Sequence, residues 1–259
     1  MCICIFKPAD VVLAKKVLKK SFNNNPDGAG FAYPSKDGKS IIVDRGYFGF
    51  REFWCAYRDL QQGRPMLIHF RIATSGSVDE SNCHPWLIDK RHALIHNGNL
   101  ESKLNCKLEN VSDTGVFVET KLKPLFAKFK KKRFWASAPF KWTMEEAIGD
   151  SKMVILDASG FEMIYNVERG EWEHGAWFSN DTYKKDRKSI RTVKTTTVDC
   201  GNGVIKEIKE FLSGRSITRY IAKANTEEKP QEQNNNTPIG DNFLNELEGY
   251  PRIDISEMY

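Results

Sequence analysis

Strand-length apolar runs open and close the first 183 residues, and helix-period segments lie between them. That order constrains the fold of this chain more than any other property it has. Cys2–Phe6 reads as a buried strand. Leu13, Val17 and Leu18 make an apolar stripe behind Asp10, which predicts a helix capped by Asp10 and running to Phe22. Asn23-Asn24-Asn25-Pro26-Asp27-Gly28 is a turn cluster, followed by strand-like runs at Gly30–Tyr33 and Ile41–Asp44. Phe53, Trp54, Tyr57 and Leu60 give Arg51–Gln62 one apolar helical face. Met66–Ile72 and Ala93–His96 are further buried strands, the second leading into the turn signal Asn97-Gly98-Asn99. Ser112 is placed to cap a helix over Thr114–Phe126 that Pro124 should kink or shorten, and Thr143-Met144-Glu145-Glu146 fits a capping box. Met153–Asp157, Phe161–Asn166 and Gly175–Ser179 alternate as successive antiparallel strands. Hairpin-type strands at both ends favour an α+β fold with antiparallel sheets over a doubly wound parallel sheet.

Composition narrows the class of function. A net charge of +5 over 259 residues is too modest and too dispersed for a dedicated nucleic-acid binder, so nucleic acid is not expected as a partner. The run Lys128–Arg133 fits a solvated loop or helix end. Six cysteines stand at irregular spacing without a CxxC pair, which reads as reduced thiols in a cytoplasmic setting. No apolar run approaches the ~20 residues of a membrane span, and Lys7, Asp10 and Lys15-Lys16 interrupt any secretory core. The histidines and cysteines show no metal-ligand spacing, so neither metal nor cofactor is expected. After Tyr183 the chain changes character. Lys184–Lys188 is basic, Val204–Leu212 reads as a short amphipathic helix, and Thr226–Asn236 lacks core-forming residues and reads as disordered. Scattered apolar residues from Phe243 to Ile255 suit a short docking motif. The organisation expected is a domain over 2–183 and a basic, partly disordered extension over 184–259.

Cys2 carries the chemistry of greatest interest. Removal of Met1 leaves a thiol and a free α-amine on one residue, with reference pKa values of about 8.5 and about 8. Nucleophile and general base are then the same residue, and no histidine partner is needed. Downstream stand Arg71-Ile72-Ala73-Thr74-Ser75-Gly76, His96-Asn97-Gly98 and Ser112-Asp113-Thr114. Each has a plain structural reading when taken singly. Arg71 fits a salt bridge, Asn97-Gly98 a hairpin turn, and Asp113 a first-turn carboxylate favoured by a helix dipole.

Together, and in this order, these segments resemble the class II (N-terminal cysteine) glutamine amidotransferases of the Ntn hydrolase superfamily over roughly Cys2 to Tyr183. The resemblance implies a four-layer αββα sandwich of two antiparallel sheets flanked by helices. It implies that Cys2 attacks the glutamine side-chain amide and that Asn97 and Gly98 form the oxyanion hole. Arg71 then holds the α-carboxylate by a two-pronged guanidinium contact, Thr74 and Ser75 add donors, and Asp113 reads the substrate ammonium. Asp27-Gly28-Ala29-Gly30, Asn82-Cys83-His84-Pro85 and Ser179-Asn180-Asp181-Thr182-Tyr183 resemble further segments of the family, with His84 expected to be structural. The chain departs at Ile3, where the family has Gly, at Asn24, where it often has Arg, and at Ser75, where it often has His. Cys4 should share a face with Cys2 and is expected to be a packed thiol. The implied activity is glutaminase, with ammonia passed to a separate synthase, since residues 184–259 are too few and too polar to form one. Two other readings remain: an amidohydrolase of a γ-glutamyl compound, and a catalytically silent module that binds glutamine or a protein.

Overall fold

Strand β1 (Ile3–Lys7) is buried on both faces, and its alternation sets the layers. Ile3 and Ile5 enter one apolar cluster, Cys4 and Phe6 another. The computed structural model describes residues 2–74, 76–100, 110–129, 133–184, 192–199, 204–211 and 216–222. Every described element falls within one compact unit that ends at Ala222. β1 lies inside a six-stranded sheet with β2 (Ala29–Pro34), β3 (Ile41–Tyr47), β4 (Met66–Phe70), β9 (Glu171–Glu173) and β10 (Ala176–Phe178). Their order is β3-β2-β4-β1-β10-β9, and the neighbours pair antiparallel. A four-stranded antiparallel sheet has the order β5-β6-β7-β8, from Trp86–Asp89, His92–Asn97, Lys152–Asp157 and Glu162–Tyr165.

Helices α1 (Lys15–Asn24) and α2 (Phe50–Tyr57) cover the outer face of the larger sheet. There Phe31 meets Tyr47, Phe53 and Tyr57 at 5.8–6.0 Å between ring centroids, and Phe53 meets Phe70 at 4.9 Å. Aromatic pairs of this kind contribute about 0.5–1.5 kcal/mol each beyond burial of their area. Between the sheets, Cys4, Phe6 and Leu67 pack on Ala93, Ile95, Val154 and Leu156. The alternate residues of the smaller sheet, Leu94 and Ile155, are fully buried on its other side. That side is covered by α3 (Asp113–Phe117), a π-helical turn (Val118–Leu122), α4 (Lys123–Lys128) and α5 (Ala138–Ile148). The layers run helix, sheet, sheet, helix, which is the expected αββα order.

Several local expectations are corrected. Asp10 does not cap α1, which starts at Lys15 after Ala14. The buried Lys7 ammonium donates to the carbonyls of Pro8, Val11 and Gln61 at 2.7–2.9 Å and holds residues 8–11 off the helical path. Gln61 also accepts from the Leu13 N–H at 3.2 Å, so α2 stops at Tyr57 rather than running to Gln62. Thr143 is no cap. It lies inside α5, its hydroxyl donating to the Pro139 carbonyl at 3.0 Å, and the helix begins after Ser137 with Pro139 in its first turn. Ser112 does cap its helix, accepting from the Gly115 N–H at 3.2 Å. The π-helical turn precedes Pro124, which sits in the first turn of α4 where a missing N–H costs least.

Val204–Phe211 is a strand, not a helix. This segment, β12, is the middle strand of an antiparallel sheet with β11 (Thr192–Asp199) and β13 (Ser216–Ala222). Eight residues make a marginal helix, and flanking segments rich in Thr, Val and Ile supply partners for a pleated strand. The disordered and docking segments expected after residue 222 lie outside the described residues, as do residues 130–132 of the basic run. No described helix is long and apolar enough to cross a membrane.

Candidate active site

Cys2 stands just before β1, and the chain is fastened on both sides of it. The Asn180 side-chain amide donates to the Cys2 carbonyl at 2.6 Å. Ser179 takes the Cys4 N–H on its hydroxyl oxygen and gives its own N–H to the Cys4 carbonyl, both at 2.9 Å. Asn180 is itself held, its carbonyl oxygen accepting from the Thr182 N–H at 3.1 Å and hydroxyl at 2.7 Å. Asn24, at the end of α1, donates to the Thr182 carbonyl at 2.7 Å. The start of β1 is thus braced by the Ser179 hydroxyl and the Asn180 amide from the turn after β10, and Asn24 of α1 holds the same turn. Sequence reasoning singled out Ser179–Tyr183 only as a resembling segment. Two Asn/Ser side chains beside a Thr, directly after a strand, were the available signal.

The Cys2 thiol lies against the chain after β4. The Ile72 N–H donates to Sγ at 3.4 Å, and the thiol donates to the Ile72 carbonyl at 3.4 Å. Burial pushes the thiol pKa up and Asp113 adds to that rise, while the Ile72 N–H and the Arg71 charge pull it down. Cys4 is fully buried between the sheets, where burial raises its pKa well above normal. Cys2, Cys4, Cys55 and Cys83 are unpaired thiols, and Cys106 and Cys200 lie outside the described residues.

Arg71 is buried at the end of β4 and donates to the Ser77 carbonyl at 2.7 Å. Asn82 links that loop to α3. Its amide nitrogen donates to the Asn110 carbonyl at 2.7 Å and its oxygen accepts the Ser112 N–H at 2.7 Å. Asp27 accepts the Ala73 N–H at 3.0 Å from the same loop. Ser75 lies outside the described residues. Asp113 accepts the Leu100 N–H at 2.6 Å and the Thr114 N–H at 2.8 Å, which ties the segment after Asn97 to the start of α3.

Asn97-Gly98 is not a hairpin turn. Its strand, β6, already has β5 and β7 on its two sides, and β7 follows only after α5. Asn97 is buried, its amide nitrogen donating to the Ser179 hydroxyl oxygen at 2.8 Å, while its own oxygen is buried without a hydrogen-bond partner among the described residues. Gly98 is required by close packing. A Cβ there would lie 2.0 Å from Ser151 Oγ and 2.8 Å from Ser151 Cα.

A cavity of about 640 Å³ opens at this point, lined by Cys2, Ile72, Thr74, Gly98, Asn99 and the segment 148–152. Of the expected site residues, Cys2, Thr74 and Gly98 form its wall. Arg71, Asn97 and Asp113 are not among its lining residues. Residues 148–152, at the turn from α5 into β7, were not expected at the site, because their contribution depends on the pairing of β7 with β6. His84 does not line the cavity. It is buried, stacks on His69 at 4.1 Å and lies 6.5 Å from His96. Among the described residues, no group of His, Cys, Asp and Glu side chains is placed to hold a metal ion.

No family model matches this sequence, and no curated protein matches it. Among solved structures, the chain is similar to glutamine phosphoribosylpyrophosphate amidotransferase from B. subtilis complexed with ADP and GMP. The identity is 13% and the TM-score 0.45, over 87% of this chain and 50% of that one. It is also similar to a structure described as the allosteric regulatory enzyme of purine biosynthesis. There the identity is 14% and the TM-score 0.45, over the same 87% and 50%. This chain therefore spans half the length of each.

Proposed function

We propose that residues 2–183 form a glutaminase domain of the class II glutamine amidotransferase type, with Cys2 as its nucleophile once Met1 is removed. The observation that carries this reading is the Cys2 thiol in the wall of a cavity faced by Gly98 and Asn99, within reach of the Arg71 and Asp113 charges. In this reading the free α-amine takes the thiol proton and the sulfur attacks the side-chain carbonyl of glutamine. The oxyanion forms beside the Gly98 N–H and the Asn97 amide, which has a second hydrogen beyond the one given to Ser179. Collapse expels ammonia after protonation by the α-ammonium, and water then releases glutamate from the γ-glutamyl thioester. Thr74 meets the substrate from the cavity wall, while Arg71 and Asp113 bias the site toward an amino-acid head group. Ammonia passes to a separate synthase in the cytoplasm, and residues 184–259 are a plausible contact for it.

The test is direct. Protein shown by intact mass to lack Met1 is expected to convert glutamine to equal amounts of glutamate and ammonia. An uncleaved N-terminal extension should abolish turnover. Full activity with Met1 quantitatively retained would exclude the mechanism. A γ-glutamyl amide in place of glutamine is a second reading, favoured by a cavity that exceeds what one small amide needs.

A further inference from the structure

Part of the cavity wall is built by Ile148, Gly149, Asp150, Ser151 and Lys152. Lys152 opens β7 and stands directly opposite Asn97 in the register of β6 and β7. Its side chain is half-buried, and no hydrogen bond or ion pair of its ammonium is found among the described residues. The neighbouring acid does not neutralise it, because Asp150 is mostly exposed and pairs with Arg169 at 2.9 Å. The Lys152 charge is felt inward, at Cys4 and at His96. Lys152 is thus available to an anionic group bound in the cavity that it lines.

With a γ-glutamyl carbonyl placed at Cys2 and Gly98, as the glutaminase-type reading requires, the wall beside it is Ser151, which packs on Gly98, and Lys152, which pairs with Asn97. We infer that Lys152 recognises an anionic group on the leaving amine, so that the preferred substrates are γ-glutamyl amides whose amine carries a carboxylate or phosphate. This rests on the glutaminase-type reading of the same cavity. It adds a substrate class that glutamine, with an unsubstituted amide, does not belong to.

Two probes of equal shape isolate the charge: γ-glutamyl-glycine, with a carboxylate beyond the amide, and γ-glutamyl-glycinamide, with a neutral group in its place. Calorimetric binding to the full chain carrying Cys2→Ala needs no turnover. A charge-assisted contact should favour the acid by roughly 10–100-fold. Lys152→Met should bring the two affinities together, and Lys152→Arg should restore most of the difference. Equal affinities in the parent, or equal weakening of both probes by Lys152→Met, would overturn the inference. The second result would place Lys152 at the head group instead. Failure of the glutaminase reading shows separately, as absence of glutamate from every substrate with Met1-processed, unsubstituted protein.

Discussion

At the scale of single residues, Cys2 is half-buried and Cys4 fully buried, both with a raised thiol pKa, yet only residue 2 borders the cavity. Cys2→Ala and Cys2→Ser should both abolish glutamate release, since neither leaves a thiol beside a free amine. Cys4→Ala should retain much of it at the cost of a small core void. Equal loss in Cys4→Ala, with an unchanged circular dichroism spectrum, would mean the nucleophile is misassigned. Arg71 and Asn97 separate binding from rate. Arg71→Lys removes a planar two-pronged donor used in ground and transition states alike, so it should mainly raise KM. Asn97→Ala removes a donor needed only when charge develops on oxygen, so it should lower kcat by about 10²–10³. An unchanged kcat with a raised KM would place Asn97 outside the oxyanion hole, as a mere anchor for Ser179.

The juncture of β6 and β7 shows what two paired elements impose on the site. Any side chain at residue 98 would collide with the backbone of Ser151 as well as with its hydroxyl. Gly98→Ala should therefore push the two strands apart at the cavity and lower both kcat and thermal stability. Adding Ser151→Gly removes the two nearest atoms and should recover part of each loss in a double-mutant cycle. Additive effects would mean that the clash does not limit the site. Within elements the sequence was readable where one face meets one apolar layer. β1, β4, β6 and β7 stand within a few residues of their expected places because their alternation is strong. It was misleading where a tertiary contact outvotes a local rule. Lys7 and Gln61 unwind the residues after Asp10, and Thr143 resembles a cap but sits inside α5. Val204–Phe211 joins strands that local periodicity does not reveal. The lining of the candidate cavity was legible to a similar depth. Cys2, Thr74 and Gly98 were placed by motif, but Asn180 and Lys152 reach the site only through strand pairing distant in sequence.

At the scale of the whole molecule, three neutral imidazoles sit at the heart of the sandwich. Burial is the first cause in each case, holding His69 down to about 3, His96 down to about 4 and His84 well below its ordinary value. His69 donates to the His96 carbonyl at 3.1 Å and His96 Nδ1 lies 2.8 Å from the Thr114 hydroxyl, while both His84 nitrogens lack a partner among the described residues. All three are thus depressed from an unfolded value of about 6.5. Between that value and the folded ones, the unfolded chain binds protons that the native chain refuses. Stability must therefore fall as pH drops below about 6.5; the His96 contribution levels off at about pH 4, where it begins to titrate in the native state, and that of His69 only at about pH 3. Each imidazole contributes a slope of up to about 1.4 kcal/mol per pH unit, so the three together approach about 4. Carboxylates do not explain a loss above about pH 5, because their unfolded values lie near about 4. Urea unfolding at intervals from about pH 7 to about pH 5 should show this slope developing. His84→Leu, which removes the imidazole without hydrogen-bond partners, should reduce it by about a third. A flat profile over that range, or a slope untouched by His84→Leu, would mean that these imidazoles are not held neutral in the folded protein.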